Sequence, residues 1–202
     1  MKAIGIQKAS RRLAQAEGSL AKLAELENGL NVHAFEDEWF DFLVHLHSVP
    51  EILRTSAKSS PKARQWIDGR FKLEIRKDPL LRFLFQARGT DFHGIDCGTQ
   101  PHTEGAKYLG YEPNPPIQFT LQAADGSTQT LGGGAIMLEG DVKSFTFSFR
   151  LCPVTDKYGN TFDPPEEHNG QKLMSATPVS VAEIALEYYR TLLRGASELV
   201  GR

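Results

Sequence analysis

The chain has 202 residues, of which 40% are hydrophobic and 24% charged. Those are the proportions of a globular protein with enough chain to bury a core. A formal net charge of −2 at pH 7 excludes a basic field over the whole surface and leaves room only for a local basic cleft. No window approaches the roughly 20 apolar residues of a membrane helix. The opening MKAIGIQKASRRLAQ lacks the apolar run of a secretory signal. Cys97 and Cys152 have no zinc-type spacing, which points to reduced thiols. The expected address is the cytoplasm, with no membrane partner and no cofactor.

From about Lys8 to Asn28, the residues Leu13, Ala16, Leu20, Leu23 and Leu26 recur at three- and four-residue steps, which predicts an amphipathic helix ended by Asn28-Gly29. A second helix is expected from near Phe35, with Glu36, Asp37 and Glu38 in its first turn and Trp39, Phe42, Leu43 and Leu46 buried. Ser48-Val49-Pro50-Glu51 has capping-box spacing and predicts a restart or kink. Ser60-Pro61 opens a third helix with Ala63, Trp66, Ile67 and Phe71 inward, and Asp78-Pro79 opens a fourth that Gly94 ends.

Composition changes after Gly98. Residues Thr99 to Pro116 carry Pro, Gly, Asn and His in the manner of a loop or linker. Ile117 to Ala123 alternates apolar and polar, and Asp125-Gly126 then leads into Thr128 to Leu131, the signal of a β-hairpin. Ala135 to Leu138 and Val142 to Leu151 predict two more strands, Pro153 to Ala176 an irregular segment, and Ser180 to Glu183 the cap of a closing helix. The expected fold class is α+β: a helical bundle over residues 1–98, a linker over 99–116, and a β-rich region with a C-terminal helix over 117–202.

The fourth helix contains one feature that asks for chemistry. In DPLLRFLFQARGTDFHGID, Leu80, Leu84 and Arg88 fall four apart, and Leu81 and Phe85 share that side with Arg88. A guanidinium projecting from an apolar stripe needs an acceptor. Glu36, Asp37, Glu38, Asp41 and Asp91 are candidates, as is an anionic ligand. His93 follows five residues later, where it either joins Arg88 in a cleft or simply complements the negative end of the helix.

With four helices and ARGTDFHGI near the end of the last, residues 1–98 resemble the HEPN superfamily, whose motif is R-x4-H. The resemblance implies an all-α, homodimeric unit and a metal-independent ribonuclease or RNA-binding protein of a defence or phage-related system. Arg88 and His93 would be its catalytic pair, with Asp91, Glu36 and Asp37 as binding residues. Where the family places Asn, Asp or His after the arginine, this chain has Gly89. The β-rich half lies outside the resemblance, and its own ligand or partner is unassigned. The implied chemistry is coherent: histidine titrates near neutrality and arginine forks onto phosphate oxygens.

Other groupings point elsewhere. His45 and His47 sit about 200° apart on a helix and cannot chelate one ion. Asp96, Cys97 and His102, with Glu166, Glu167 and His168, have no recognised ligand spacing. Gly132-Gly133-Gly134 lacks the order of a phosphate loop and suits a turn. Phe145, Phe147 and Phe149 alternate as the core of a sheet does, and Arg11-Arg12, Lys58, Lys62 and Arg64 read as solvated faces. The competing class is an interaction protein in which Arg88 is a structural ion-pair residue.

Overall fold

The structure is a computed structural model that describes residues 1–29, 31–93, 98–104, 106–110, 119–122, 128–131, 135–138 and 146–200. For residues 75, 76, 90–93, the strands from 103 to 138 and residue 146 the description is of the backbone. The fold is mixed α and β, mostly helical. Helices α1 (Ala3–Leu26), α2 (Val32–Ser56), α3 (Pro61–Lys77) and α4 (Pro79–His93) come first, and α5 (Pro178–Ser197) closes the chain.

Helices α1 and α2 form an antiparallel pair. Gly5 meets Ser56 at one end, Arg12 meets His45 midway, and Lys22 meets Glu38 towards the other. The stripe expected on α1 is buried at Leu13, Ala16 and Leu23, and the stripe on α2 at Trp39, Phe42, Leu43 and Leu46. Burying one apolar face per helix, not propensity, is what holds helices of this kind. Helix α3 turns Ala63, Ile67 and Phe71 inward, and α5 lies along α1, joined at its surface by Arg190 and Glu17 at 2.7 Å.

Several boundaries differ from the sequence expectation. Helix α1 begins at Ala3, five residues earlier than its periodicity announces. Helix α2 begins at Val32, capped by Asn31 accepting the Ala34 N–H at 3.2 Å, so Glu36, Asp37 and Glu38 fall beyond the first turn. It also runs unbroken through Pro50. An internal proline costs about 3 kcal/mol, and burial of Leu46, Val49, Pro50 and Leu53 on one face outweighs it. Helix α5 is capped by Thr177, which accepts the Ser180 N–H at 3.2 Å, with Pro178 in the first turn.

The β region is built of paired ladders. Strands β1 (Thr99–Glu104) and β6 (Thr146–Leu151), β2 (Ala106–Gly110) and β5 (Ala135–Leu138), and β3 (Phe119–Gln122) and β4 (Thr128–Leu131) pair antiparallel in that nested order. The expected hairpin is present in β3 and β4, while Asp125-Gly126 and Gly132 to Gly134 lie outside the described residues. The segment expected as a loop from Thr99 carries β1 and β2. Its Pro and Gly content hid a strand because β1 pairs on the side its partner β6 supplies. Pro101, which has no N–H to give, sits opposite Phe149. Two-residue ladders join β7 (Val154–Thr155) to β8 (Thr161–Phe162) and β9 (Glu167–His168) to β10 (Gln171–Lys172).

Phe147 and Phe149 are core residues, as their alternation predicts, and Phe145 lies outside the described residues. Phe149 stacks on Phe35 of α2 with ring centroids 3.7 Å apart, so β6 and the helices share one apolar core.

Candidate functional site

Helix α4 carries Arg88 to the edge of that core. Leu80, Leu81, Phe83, Leu84 and Ala87 are buried, while Phe85 is 36% exposed and Arg88 half-buried. The strip Leu81–Phe85–Arg88 therefore runs from the interior towards the surface, and Arg88, its Nε still enclosed, stands where α4 meets α2. There it borders a hollow of about 560 Å³ lined from α1 by Lys2, Lys8 and Arg12 and from α2 by His47 and Glu51. A second hollow of about 460 Å³ adjoins it, sharing Lys8, Arg12 and Ile52 and adding Arg11.

Charge is unevenly divided here. Among the described residues, Lys2, Lys8, Arg11, Arg12 and Arg88 line the two hollows, against the single carboxylate of Glu51. The local field is therefore positive in a chain whose net charge is −2. The N-terminus of α1 adds to it, since Lys2 occupies the cap without a side-chain cap bond and the helix dipole is positive at that end. The placement follows from spacing: Lys8, Arg11, Arg12 and Gln15 stand at i, i+3, i+4 and i+7 along one face of α1. Arg11-Arg12, expected as a solvated face, is the rim of this cleft.

The two histidines of α2 part as the helical geometry requires. His45 turns to α1, its Nδ1 3.3 Å from Arg12 Nη1. Burial first, and then the Arg12 charge, push its pKa below the usual histidine value, partly opposed by Asp41 and Glu38. His47 turns to α4, its ring 4.9 Å from the Phe85 ring at a tilt of 39°. Burial and the Arg88 charge lower its pKa too, against a smaller opposing pull from Glu51. Both imidazoles are held towards the neutral form.

The residues expected around Arg88 are distributed as follows. His93 ends α4 and Asp91 lies two residues before it, and their side chains lie outside the described residues. Glu36 is within 3.5 Å of His33 Nδ1, and Asp37 is exposed. Asp37 precedes His47 by ten residues on α2, roughly 15 Å along the helix, so Glu36 and Asp37 stand apart from the hollow. Among the described residues, the carboxylate that shares the hollow with Arg88 is Glu51, and the histidine is His47. Sequence reasoning missed both. The signal was available in the α2 row His47, Glu51, Thr55, spaced by four.

A second polar cluster lies where the β-rich segment meets α4. Asp78, 6% exposed, caps α4 by accepting the Leu81 N–H at 2.9 Å and accepts the Asn169 N–H at 2.7 Å. His168 Nδ1 lies 3.0 Å from the same carboxylate. Nearby, the Tyr188 hydroxyl donates to Glu74, and burial together with that bond raises the phenol pKa far above its ordinary value. These contacts tie residues 166–172 to the helices. Among the described residues no three His, Cys, Asp or Glu side chains are grouped to hold a metal. Asp96 and Cys97 lie outside those residues.

No helix among the described residues is long and apolar enough to cross a membrane. No family model, no curated protein and no solved structure matches the chain.

Proposed function

We propose that this protein binds single-stranded RNA, with the phosphate backbone running through the hollow beside Arg88 and along the cationic face of α1. One observation supports the reading: Arg88, Lys2, Lys8 and Arg12 line an open hollow that, among the described residues, has one carboxylate. A phosphodiester carries one negative charge per nucleotide, and lysine and arginine gain affinity by releasing its counterions. Arg88 has the further property of a planar fork that donates to two phosphate oxygens at once. Arg88 is half-buried where it borders the hollow.

The resemblance to HEPN domains extends the reading to metal-independent cleavage by a homodimer in the cytoplasm, as in defence or phage-related systems. In that reaction the 2′-hydroxyl gives its proton to a general base and its oxygen bonds to phosphorus. The P–O5′ bond breaks and O5′ takes a proton from a general acid, leaving a cyclic phosphate and a 5′-hydroxyl. His93 would serve as one of these proton carriers. Arg88 would stabilise the charge that grows on the phosphoryl oxygens.

The test is binding of a fluorescent single-stranded RNA in low salt, wild type beside the double variant Lys8→Glu, Arg12→Glu. Lys8 is exposed and Arg12 half-buried against His45, and neither belongs to the buried apolar core. The expected result is a loss of roughly tenfold or more in affinity, about 1.4 kcal/mol, with a shallower dependence on salt. A folded wild type with no saturable RNA affinity, or a double variant that binds equally well, would remove the basis for the proposal. Incubation of the same RNA in excess chelator, with Arg88→Ala and His93→Ala alongside, separates binding from cleavage. Sedimentation of the same samples reports whether the chain dimerises.

A further inference from the structure

Among the described residues, one group lining the hollow can change its charge near neutral pH, and it is His47. His47 lies on α2 and Arg88 on α4, and the two border the same hollow from adjacent walls. Packing against Phe85 holds the imidazole in place. We propose that His47 and Arg88 together grip a phosphodiester of the bound RNA, with His47 taking up a proton as the phosphate arrives.

The argument is electrostatic. Arg88 from α4 and Glu51 from its own helix are the charges that act on His47, while Lys2, Lys8 and Arg12, from α1 and its cap, line the same hollow. Among the described residues no α3 side chain lines the hollow. Partial burial disfavours the imidazolium first and the Arg88 charge disfavours it further, against a smaller opposing pull from Glu51, so the ring is held towards its neutral form. An incoming phosphodiester reverses the sign of the local field. It neutralises part of the cationic charge and offers an acceptor to an imidazolium N–H, a charge-assisted bond stronger than a neutral one. Proton and phosphate then bind cooperatively, and by linkage each raises the affinity for the other. The hollow, about 560 Å³, has room for a nucleotide beside the pair.

The inference rests on the RNA-binding reading, and the experiment distinguishes the two. The probe is a fluorescent oligouridylate, because neither its phosphodiesters nor uracil titrate between about pH 5.5 and about pH 8, the window of histidine. Affinity is measured at both pH values for wild type, His47→Gln and His45→Gln, each checked for folding by circular dichroism. The His47 ring resonance is followed by NMR in wild type, with and without the RNA.

The expected result is tighter binding at the lower pH, by up to roughly tenfold for each unit by which RNA raises the ring pKa. The gain is lost in His47→Gln and kept in His45→Gln, and the His47 titration moves to higher pH when RNA is bound. If RNA binds with the same affinity at both pH values, or if His47→Gln keeps the gain, the proton-coupled grip is wrong and RNA binding stands. If folded wild type binds at neither pH, both readings fail. Should His47→Gln not fold, the NMR titration of wild type still decides, since an unmoved His47 resonance overturns the inference.

Discussion

A single α2 position shows how a residue's meaning depends on what it faces. His45 and His47 have the same chemistry and lie two residues apart, yet one meets Arg12 and the other Phe85 and Arg88. Both are pushed towards the neutral form, by burial first and then by the neighbouring arginine. A histidine whose pKa is lower folded than unfolded binds fewer protons in the folded state. Its contribution to stability is therefore complete above the unfolded value and is lost as pH falls from there through the folded value. The protein in the absence of RNA should lose stability as the solution is acidified below about pH 6.5. Urea midpoints of wild type and His47→Gln, taken at about pH 7.5 and about pH 5.5, provide the check. The variant should show the smaller drop on acidification, and equal drops would mean that His47 contributes nothing to this linkage.

Among the elements, α1 comes close to the end of α2 at Gly5. A Cβ placed on Gly5 would stand 2.1 Å from the Ser56 Cβ, so the missing side chain lets the two helices touch and forms part of the wall of the cationic hollow. Gly5→Ala should destabilise by about 1–3 kcal/mol through overpacking, even though alanine is the better helix former. Gly18, inside the same helix and with no neighbouring atom within 4 Å of its added Cβ, is the matched control. Gly18→Ala should stabilise by about 0.5–1 kcal/mol. Denaturant unfolding of the two variants tests the contrast, and a stabilised Gly5→Ala would refute the close packing. The same element scale explains why Pro50 does not end α2: the residues on either side have no better place to bury their apolar face.

For the molecule as a whole, the joint between β6 and α2 matters most. Phe149 is fully buried and stacks on Phe35, so the strand completes a core that the helices alone would leave open. Asp78 reinforces the union from the other side, capping α4 while it holds the backbone of Asn169. Phe149→Ala should cost about 3–5 kcal/mol. Because the core is continuous, that loss should lower the midpoint of helix unfolding, although the residue is in no helix. Far-ultraviolet circular dichroism against denaturant reads it directly. An unchanged helical midpoint would mean that the helices and the ribbon unfold independently.

Much of this architecture is legible in the pattern of apolar residues along the chain. Leu13, Ala16 and Leu23, or Trp39, Phe42, Leu43 and Leu46, announce their helices because a buried face repeats with the turn of the helix that buries it. The alternation through Phe147 and Phe149 announces a strand for the same reason, with a period of two. What periodicity cannot supply is the identity of a neighbour. The strand at Thr99 was hidden because its partner lies about fifty residues away, and a ladder is a property of two segments. The cationic hollow is likewise written in three unrelated stretches, at Lys8 to Arg12, at His47 to Glu51 and at Arg88. By itself the sequence determined the helices, the hairpin, their inward faces and the presence of an arginine on an apolar helix. Only the tertiary structure decided what that arginine meets, because the packing of α4 against the α1–α2 pair sets Arg88 beside His47 and the lysines, and local pattern carries no information about which helix will supply the opposite wall.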